Sequence, residues 1–116
     1  MKTSEILKAG KALIIDPKNW TQGAYFRNAE GAVIIRLSTE IIPIGVACMC
    51  SYGALRVVNN KPNDFGLIGE DYLRIAVNSI DNNTRAVDIY NDHHTHSEVM
   101  ELWDKATQLA EEDEKK

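Results

Sequence analysis

The sequence predicts an α+β domain that is mainly α, with about four helices packed together with a small β-hairpin. Several segments carry apolar residues at three- and four-residue steps, which is typical of helices with one buried face. Two short aromatic and β-branched runs flank a glycine-containing turn. The 116 residues can form one core, and no Pro-, Gly- or Ser-rich linker divides them. We therefore expect one compact domain over residues 1–110, followed by a charged flexible tail over residues 111–116.

The first helix is predicted over residues 4 to about 15. Thr3 or Ser4 is the expected cap, and Pro17 should end the helix because it disfavours the α conformation at Asp16. One face carries the apolar and small residues Ile6, Leu7, Gly10, Leu13 and Ile14.

A hairpin is predicted within residues 24–37. Its strands would be residues 25–26 and 33–35, and Gly31 would occupy the left-handed position of the turn between them.

The segment 46–58 is uncharged until Arg56 and contains the small residues Ser51, Gly53 and Ala54. This pattern favours a central helix that other helices approach closely, and a buried strand is the alternative. Residues 59–64 should form a loop.

A third helix is predicted to begin at Glu70, where Glu70 and Asp71 suit the positive end of the helix dipole. Residues 81–84 should turn the chain, and residues 85–90 should form a short connector, for which we expect an extended conformation.

The last helix is predicted to start at Thr95, because Thr95 and Glu98 have the spacing of a capping box. It should run to about Glu112. Its apolar stripe consists of Val99, Leu102, Trp103, Ala106, Leu109 and Ala110.

The formal net charge of −4 and the absence of a basic patch argue against direct nucleic-acid binding. No signal peptide and no run of about 18 apolar residues is present, so we expect a soluble, cytoplasmic protein without membrane association. Cys48 and Cys50 are too close in sequence for an easy disulfide and should be reduced thiols.

Several short segments resemble a bacterial and phage family known as domain of unknown function 6197. They are Trp20-Thr21-Gln22-Gly23-Ala24, Cys50-Ser51-Tyr52-Gly53-Ala54-Leu55, Asn91-Asp92, Thr95-His96-Ser97-Glu98-Val99 and Asp104-Lys105-Ala106. The chain departs from the family by having Tyr90 where Trp is usual and by the additional pair His93-His94. The resemblance implies the order of elements and a phage or mobile-element origin, and it implies no activity.

Cys50, His96 and Asp92 are the candidates for catalysis. A cysteine in the first turn of a helix is placed to ionise, and a histidine across the fold would act as its base, as in cysteine hydrolases. The competing interpretation is that Cys50 is a small buried residue beside a close helix contact and that His96 stabilises a helix start.

The histidine-rich segment is a weak candidate for metal binding through His93, His94 and His96, with Asp92 nearby. We expect the capping box to keep the chain non-helical before Thr95. No second ligand cluster has a recognised spacing, so we assign no metal site and no cofactor.

A non-enzymatic accessory or binding protein is the function that we favour from the sequence. Trp20, Asn91, Asp92 and His96 would form a shallow pocket or partner surface near Cys50 for a protein or small molecule. The thiol-dependent hydrolase and the metal-binding domain are the alternatives, and a homodimer through apolar faces of the second or third helix stays open. No phosphate-binding loop or Gly-x-Ser-x-Gly motif is present.

Overall fold

The computed structural model describes residues 1–35, 42–81 and 86–116. Five α-helices and a two-stranded antiparallel sheet lie within these residues, which confirms the predicted α+β class. The helices are α1 (Thr3–Ile14), α2 (Ser51–Asn59), α3 (Glu70–Ile80), α4 (Val87–His93) and α5 (His96–Glu114). The strands are β1 (Phe26–Arg27) and β2 (Cys48–Met49), and a 3-10 turn covers Pro17–Asn19. Over the described ranges, every helix is too short or too polar to cross a bilayer.

Helix α5 packs against α1 and α3, and α1 also packs against α2. The predicted stripe of α5 is confirmed: all of its members are fully buried except Leu109, which packs partly buried against the core. Trp103 is the largest fully buried side chain. A Cβ atom at Gly10 of α1 would lie 2.6 Å from Cζ3 of the Trp103 ring, so the glycine allows the two helices to approach. The core is therefore centred on the contact between α1 and α5.

The start of α5 is the predicted capping box. Thr95 Oγ1 accepts a hydrogen bond from Glu98 N at 3.2 Å, and Glu98 Oε1 accepts one from Thr95 N at 2.9 Å. The predicted cap of α1 is wrong, because its N-cap is Lys2, whose backbone N–H donates to Glu5 Oε1 at 2.7 Å. Short-range polar pairs thus define both helix starts.

Helix α5 continues two residues beyond the predicted end at Glu112 and enters the segment predicted to be a tail. Ser4 N and Ser4 Oγ donate to the Glu114 carboxylate at 3.1 and 2.6 Å. Lys8 Nζ lies 3.0 Å from Glu111 Oε2. The first and last helices are therefore joined at their ends, and the flexibility of residues 111–116 stays a prediction.

The hairpin prediction is partly wrong. The predicted turn forms, with Gly31 at φ 84°, and Arg27 and Val33 make a single antiparallel bridge across it. However, β1 pairs with the distant β2, in the register Phe26 with Met49 and Arg27 with Cys48. Residues 36 and 37, at the end of the predicted hairpin segment, lie outside the described residues. The small sheet consequently joins segments far apart in sequence.

The prediction of one central helix over residues 46–58 is partly wrong: residues 51–58 are helical, but the helix starts later than predicted. Cys48 and Met49 are in β2, Cys50 is the N-cap, and α2 begins only at Ser51. Gly53 does allow a close approach, but of the segment before β1 and not of another helix, since a Cβ atom there would lie 2.6 Å from Tyr25 O. Because Cys48 and Met49 pair with β1, these early residues of the apolar run are in a strand and not in the helix.

The connector predicted over residues 85–90 is instead helical from Val87, and the expectation of a non-helical chain before Thr95 is wrong. Helix α4 stops at His93, and His94 is extended before the cap of α5. Buried Val87 and Tyr90 attach α4 to the core, which local sequence preferences did not indicate. Most of the turn predicted over residues 81–84 lies outside the described residues.

Candidate functional site

Asn91 of α4 is completely buried at the centre of a polar network. Its Oδ1 accepts hydrogen bonds from Trp20 Nε1 at 2.9 Å, from Ser51 Oγ at 2.8 Å and from Ser51 N at 3.1 Å. Its Nδ2 donates to Thr21 O at 3.0 Å. Ser51 Oγ in turn accepts from Trp103 Nε1 at 3.1 Å. One amide therefore connects α4, α2, the Trp20 segment and, through Ser51, helix α5.

The segment after Trp20 is held against α4 by further polar contacts. Gln22 Nε2 donates to Asn91 O at 3.1 Å and to His94 O at 2.8 Å. Gly23 N donates to Asp92 Oδ1 at 2.9 Å, and that oxygen also accepts from Asn91 Nδ2 at 3.2 Å. Gly23 has φ 77°, a conformation that suits glycine. These contacts fix the Gly23 backbone and one oxygen of the Asp92 carboxylate.

A cleft of about 240 Å³ opens between this segment and α4. Its lining residues are Gly23, Ala24, Tyr25, Cys50, Asp88 and Asp92. Asp88 and Asp92 are four residues apart on α4 and thus lie on one face of the helix. Both aspartates are exposed, whereas Cys50 is 6% exposed. We call this space the acidic cleft.

Cys50 lines the acidic cleft, and its buried environment favours the neutral thiol. Burial raises the pKa of the Cys50 thiol to about 11, although hydrogen bonds from the backbone of Gly53 and Tyr52 oppose the shift. Cys50 Sγ accepts from Gly53 N at 3.5 Å, in the manner of an N-cap side chain. At neutral pH this group is a poor nucleophile.

His96 does not contact Cys50. Its Nε2 lies 2.8 Å from the backbone oxygen of Ile14, and its ring packs edge-on against Trp20 with the centroids 5.4 Å apart. His96 is outside the lining of the acidic cleft. The geometry therefore does not favour the hydrolase alternative, in which His96 serves as the base for Cys50.

The histidine candidates for metal binding are dispersed. His94 Nδ1 lies 3.0 Å from Tyr90 O, and the His94 ring stacks on the Tyr90 ring with the centroids 3.7 Å apart. His93 ends α4 on the exposed side. Across the three described stretches, no group of three His, Cys, Asp or Glu side chains is placed to hold a metal ion. The metal alternative thus gains no support.

A family model described as "Family of unknown function (DUF6197)" matches residues 1–109 of the chain. The chain belongs to this family. No curated protein and no solved structure matches it.

Most of the segments that carried the resemblance to DUF6197 contribute to two features of the structure, the polar network and the start of α5. The Trp20–Gly23 portion, Ser51 and the Asn91-Asp92 pair form the polar network, while Thr95 and Glu98 cap α5. Most of these side chains bond to one another, so they have an architectural role in this DUF6197 chain. The Asp92 carboxylate differs, because it also lines the acidic cleft.

The structure brings some predicted site residues together and separates others. Asn91 and Trp20 are bonded to each other, and Asp92 and Cys50 share the acidic cleft. His96 packs against Trp20 but lies outside the lining of the cleft. Asp88 and Tyr25 were missed. The spacing of Asp88 and Asp92 would have indicated a shared face, but only once α4 was recognised as a helix.

Proposed function

We propose that this chain is a small non-enzymatic binding protein and that the acidic cleft receives a cationic group of its ligand. The observation that carries the proposal is the position of the Asp92 carboxylate. Oδ1 is held by Gly23 N and Asn91 Nδ2, and within the described part of the chain Oδ2 has no protein partner. A carboxylate already fixed at a cleft binds a cation with little loss of conformational freedom.

The charge of the cleft supports a cationic ligand. Asp88 and Asp92 repel each other across one helical turn, and a guanidinium or ammonium group between them would relieve that repulsion. Among the described residues that line the cleft, none is basic. The formal net charge of −4 adds a field that attracts cations over a longer range.

The size of the cleft fits a small group rather than a whole cofactor. About 240 Å³ lies below the range of roughly 300–1,000 Å³ typical of pockets for drug-sized ligands. It is sufficient for one arginine or lysine side chain or for a small organic cation. A neutral Cys50 thiol supplies part of the wall, and its raised pKa supports a binding role over a nucleophilic one.

The location and origin of the protein belong to the same proposal. We infer that it acts inside the cell, because free Cys48 and Cys50 suit a reducing compartment. Its encoding by a phage or mobile element stays a prediction.

The test is a titration of the isotope-labelled protein with N-acetyl-arginine amide, followed by backbone amide shifts. N-acetyl-citrulline amide is the matched ligand, since it has nearly the same shape without the charge. We expect only the arginine compound to shift the amides of Gly23, Ala24 and Cys50, with a dissociation constant on the order of millimolar. Added salt should weaken the binding.

Substitutions in the protein provide the second half of the test. Asp92→Asn keeps an acceptor for Gly23 N but removes the charge, and Asp88→Asn removes the other charge. Each should weaken binding about fivefold or more, whereas Glu101→Gln, an exposed charge change on α5, should leave it unaltered. Equal binding of the citrulline compound, or indifference to both aspartate substitutions, would refute the proposal.

A further inference from the structure

A second cavity adjoins the segment that walls the acidic cleft. It has a volume of about 330 Å³ and shares Gly23, Ala24 and Tyr25 with the acidic cleft. Its remaining walls are mainly apolar and come from Phe26, Val33, Ile34 and Ile35, with Arg56 in addition. We call this second space the apolar groove.

Arg56 does not make the groove a site for anions. Its Nε is 2.7 Å from Asp64 Oδ1, and its guanidinium carbon lies 3.9 Å above the centre of the Tyr25 ring. Tyr25 Oη donates to the other oxygen of Asp64 at 2.8 Å. The charge of Arg56 is thus already neutralised inside the protein, and the groove offers a ligand chiefly apolar surface.

The segment Gly23-Ala24-Tyr25, which lines both cavities, contains backbone groups that can bond to a ligand. In the described part of the chain, neither the N–H nor the carbonyl of Ala24 has a hydrogen-bonding partner, whereas Gly23 N and Tyr25 O are both bonded. Ala24 is half-buried, lies two residues before β1, and lines both cavities. An extended peptide backbone is the ligand that matches one free N–H and one free carbonyl beside a strand.

From these observations we infer that the cleft and the groove together bind an extended peptide of a partner protein. The peptide places a basic side chain in the acidic cleft and an apolar side chain in the apolar groove. The inference rests on the proposed function, because the acidic cleft supplies the basic subsite.

The spacing of the two side chains follows from extended backbone geometry. Residues two apart in a strand point to the same side and are separated by roughly 6.6 Å. The two cavities share Gly23, Ala24 and Tyr25, so a bound peptide would place the residue between its two side chains opposite the backbone of Ala24. The recognised sequence is therefore basic–x–apolar or its reverse.

The test uses the full chain and four capped tripeptides. N-acetylated and amidated Arg-Gly-Leu and Leu-Gly-Arg are compared with Arg-Gly-Ser and Ser-Gly-Arg by amide-shift titration. At least one leucine peptide should bind roughly tenfold more tightly than its serine counterpart, since a leucine side chain leaves water. Its binding should also shift the Ala24 amide, which the peptide backbone would contact.

Matched substitutions locate the two subsites. Val33→Ser, at a side chain 55% exposed, should abolish the advantage of leucine and leave Arg-Gly-Ser binding unchanged. Ile75→Ser on α3, at 52% exposed, is the control and should change neither. Asp92→Asn should weaken all four peptides. Circular dichroism of each variant verifies that it is folded.

The outcomes separate the inference from the proposed function. If arginine binds but leucine improves affinity less than about threefold in both orders, the cleft takes a small cation alone and the peptide inference is overturned. If Val33→Ser and Ile75→Ser reduce binding equally, the apolar groove is likewise excluded. If no arginine compound binds, the proposed function fails, and the peptide inference fails with it.

Discussion

Asn91 and Ser51, 40 residues apart in sequence, are joined by two hydrogen bonds: Asn91 Oδ1 accepts from both the N–H and the hydroxyl of Ser51. Both side chains are fully buried. The N–H of Ser51 belongs to the first turn of α2, so a side chain of α4 satisfies a donor that the helix itself leaves free. This contact places the start of α2 beside α4, and the residues next to the two partners, Cys50 and Asp92, both line the acidic cleft.

Replacing Asn91 with alanine should destabilise the fold severely. The donors Trp20 Nε1, Ser51 N and Ser51 Oγ would lose their acceptor in the protein interior, and a buried unsatisfied group costs about 1–3 kcal/mol. We expect a loss of roughly 3 kcal/mol or more in the free energy of unfolding, measured by urea denaturation. Asn78→Ala, at an exposed position of α3, should change stability by less than about 0.5 kcal/mol. Similar values for the two variants would contradict the central role of Asn91.

Cys50 should react slowly with iodoacetamide in the folded protein. With a pKa of about 11, about one thiol in a thousand is ionised at pH 8, and the side chain is also buried. The measurement is best made on Cys48→Ala, in which Cys50 is the remaining cysteine, with the urea-unfolded protein as the control. A folded-state rate equal to that of the unfolded chain would show that Cys50 is accessible and ionised, and would revive the hydrolase alternative.

The same thiol should make stability depend on pH in the alkaline range. Its pKa is higher in the folded protein, at about 11, than the ordinary value of 9.0, so the folded state binds the proton more tightly. The stabilisation is complete below pH 9 and is lost as the pH rises from 9 towards 11. The difference in unfolding free energy between wild type and Cys50→Ser should therefore be constant from pH 6 to 8 and shift against the wild type above pH 9. A flat difference up to pH 11 would contradict the burial of the thiol.

Thr95→Ala should weaken the start of α5. The substitution removes the acceptor for Glu98 N, and loss of such a cap costs about 1 kcal/mol. Ser97→Ala, two residues further on and exposed, tests the loss of a hydroxyl without the loss of a cap. Thermal unfolding should show a lower midpoint for Thr95→Ala than for Ser97→Ala. The opposite order would mean that packing alone determines where α5 begins.

Removing residues 111–116 should lower the thermal midpoint more than removing residues 115–116. The longer deletion eliminates Glu114, which accepts from Ser4 N and Ser4 Oγ, and Glu111, which pairs with Lys8. Hydrogen bonds from Ser4 lower the pKa of Glu114, so this contribution is present above pH 4.5 and is lost as the pH falls below it. The two deletions should accordingly become more alike in acid. Equal midpoints at pH 7 would support a flexible tail.

The contrast between α5 and α4 illustrates what the sequence could predict. Helix α5 has 19 residues, a capping box and a continuous apolar stripe, so local signals agree with its tertiary environment. Helix α4 has only seven residues and no side-chain cap, and local preference alone does not stabilise so short a helix. Its buried contacts through Val87, Tyr90 and Asn91 do so instead. No periodicity in seven residues indicates such long-range contacts.

For the candidate site, the sequence indicated which residues matter but not what each of them does. The sequence identified Trp20, Asn91, Asp92 and Cys50 as notable residues, and the structure brings them to one region. Their roles were not predictable. The pairing of β1 with β2 makes Cys50 a cap, and the carbonyl of Ile14 holds His96 away from the thiol. Both effects depend on partners more than 20 residues away along the chain.

By itself, then, the sequence determined the α+β class, the helices with long amphipathic stripes and the capped start of α5, because hydrophobic period and capping are local properties. Tertiary structure alone decided that the Asn91 side chain bonds to two other segments, at Trp20-Thr21 and at Ser51. It also decided that, among the described residues, Asp92 Oδ2 has no partner in the cleft that Asp92 shares with Cys50. The physical reason is that buried polar groups must find partners, and folding brings those partners from anywhere in the chain.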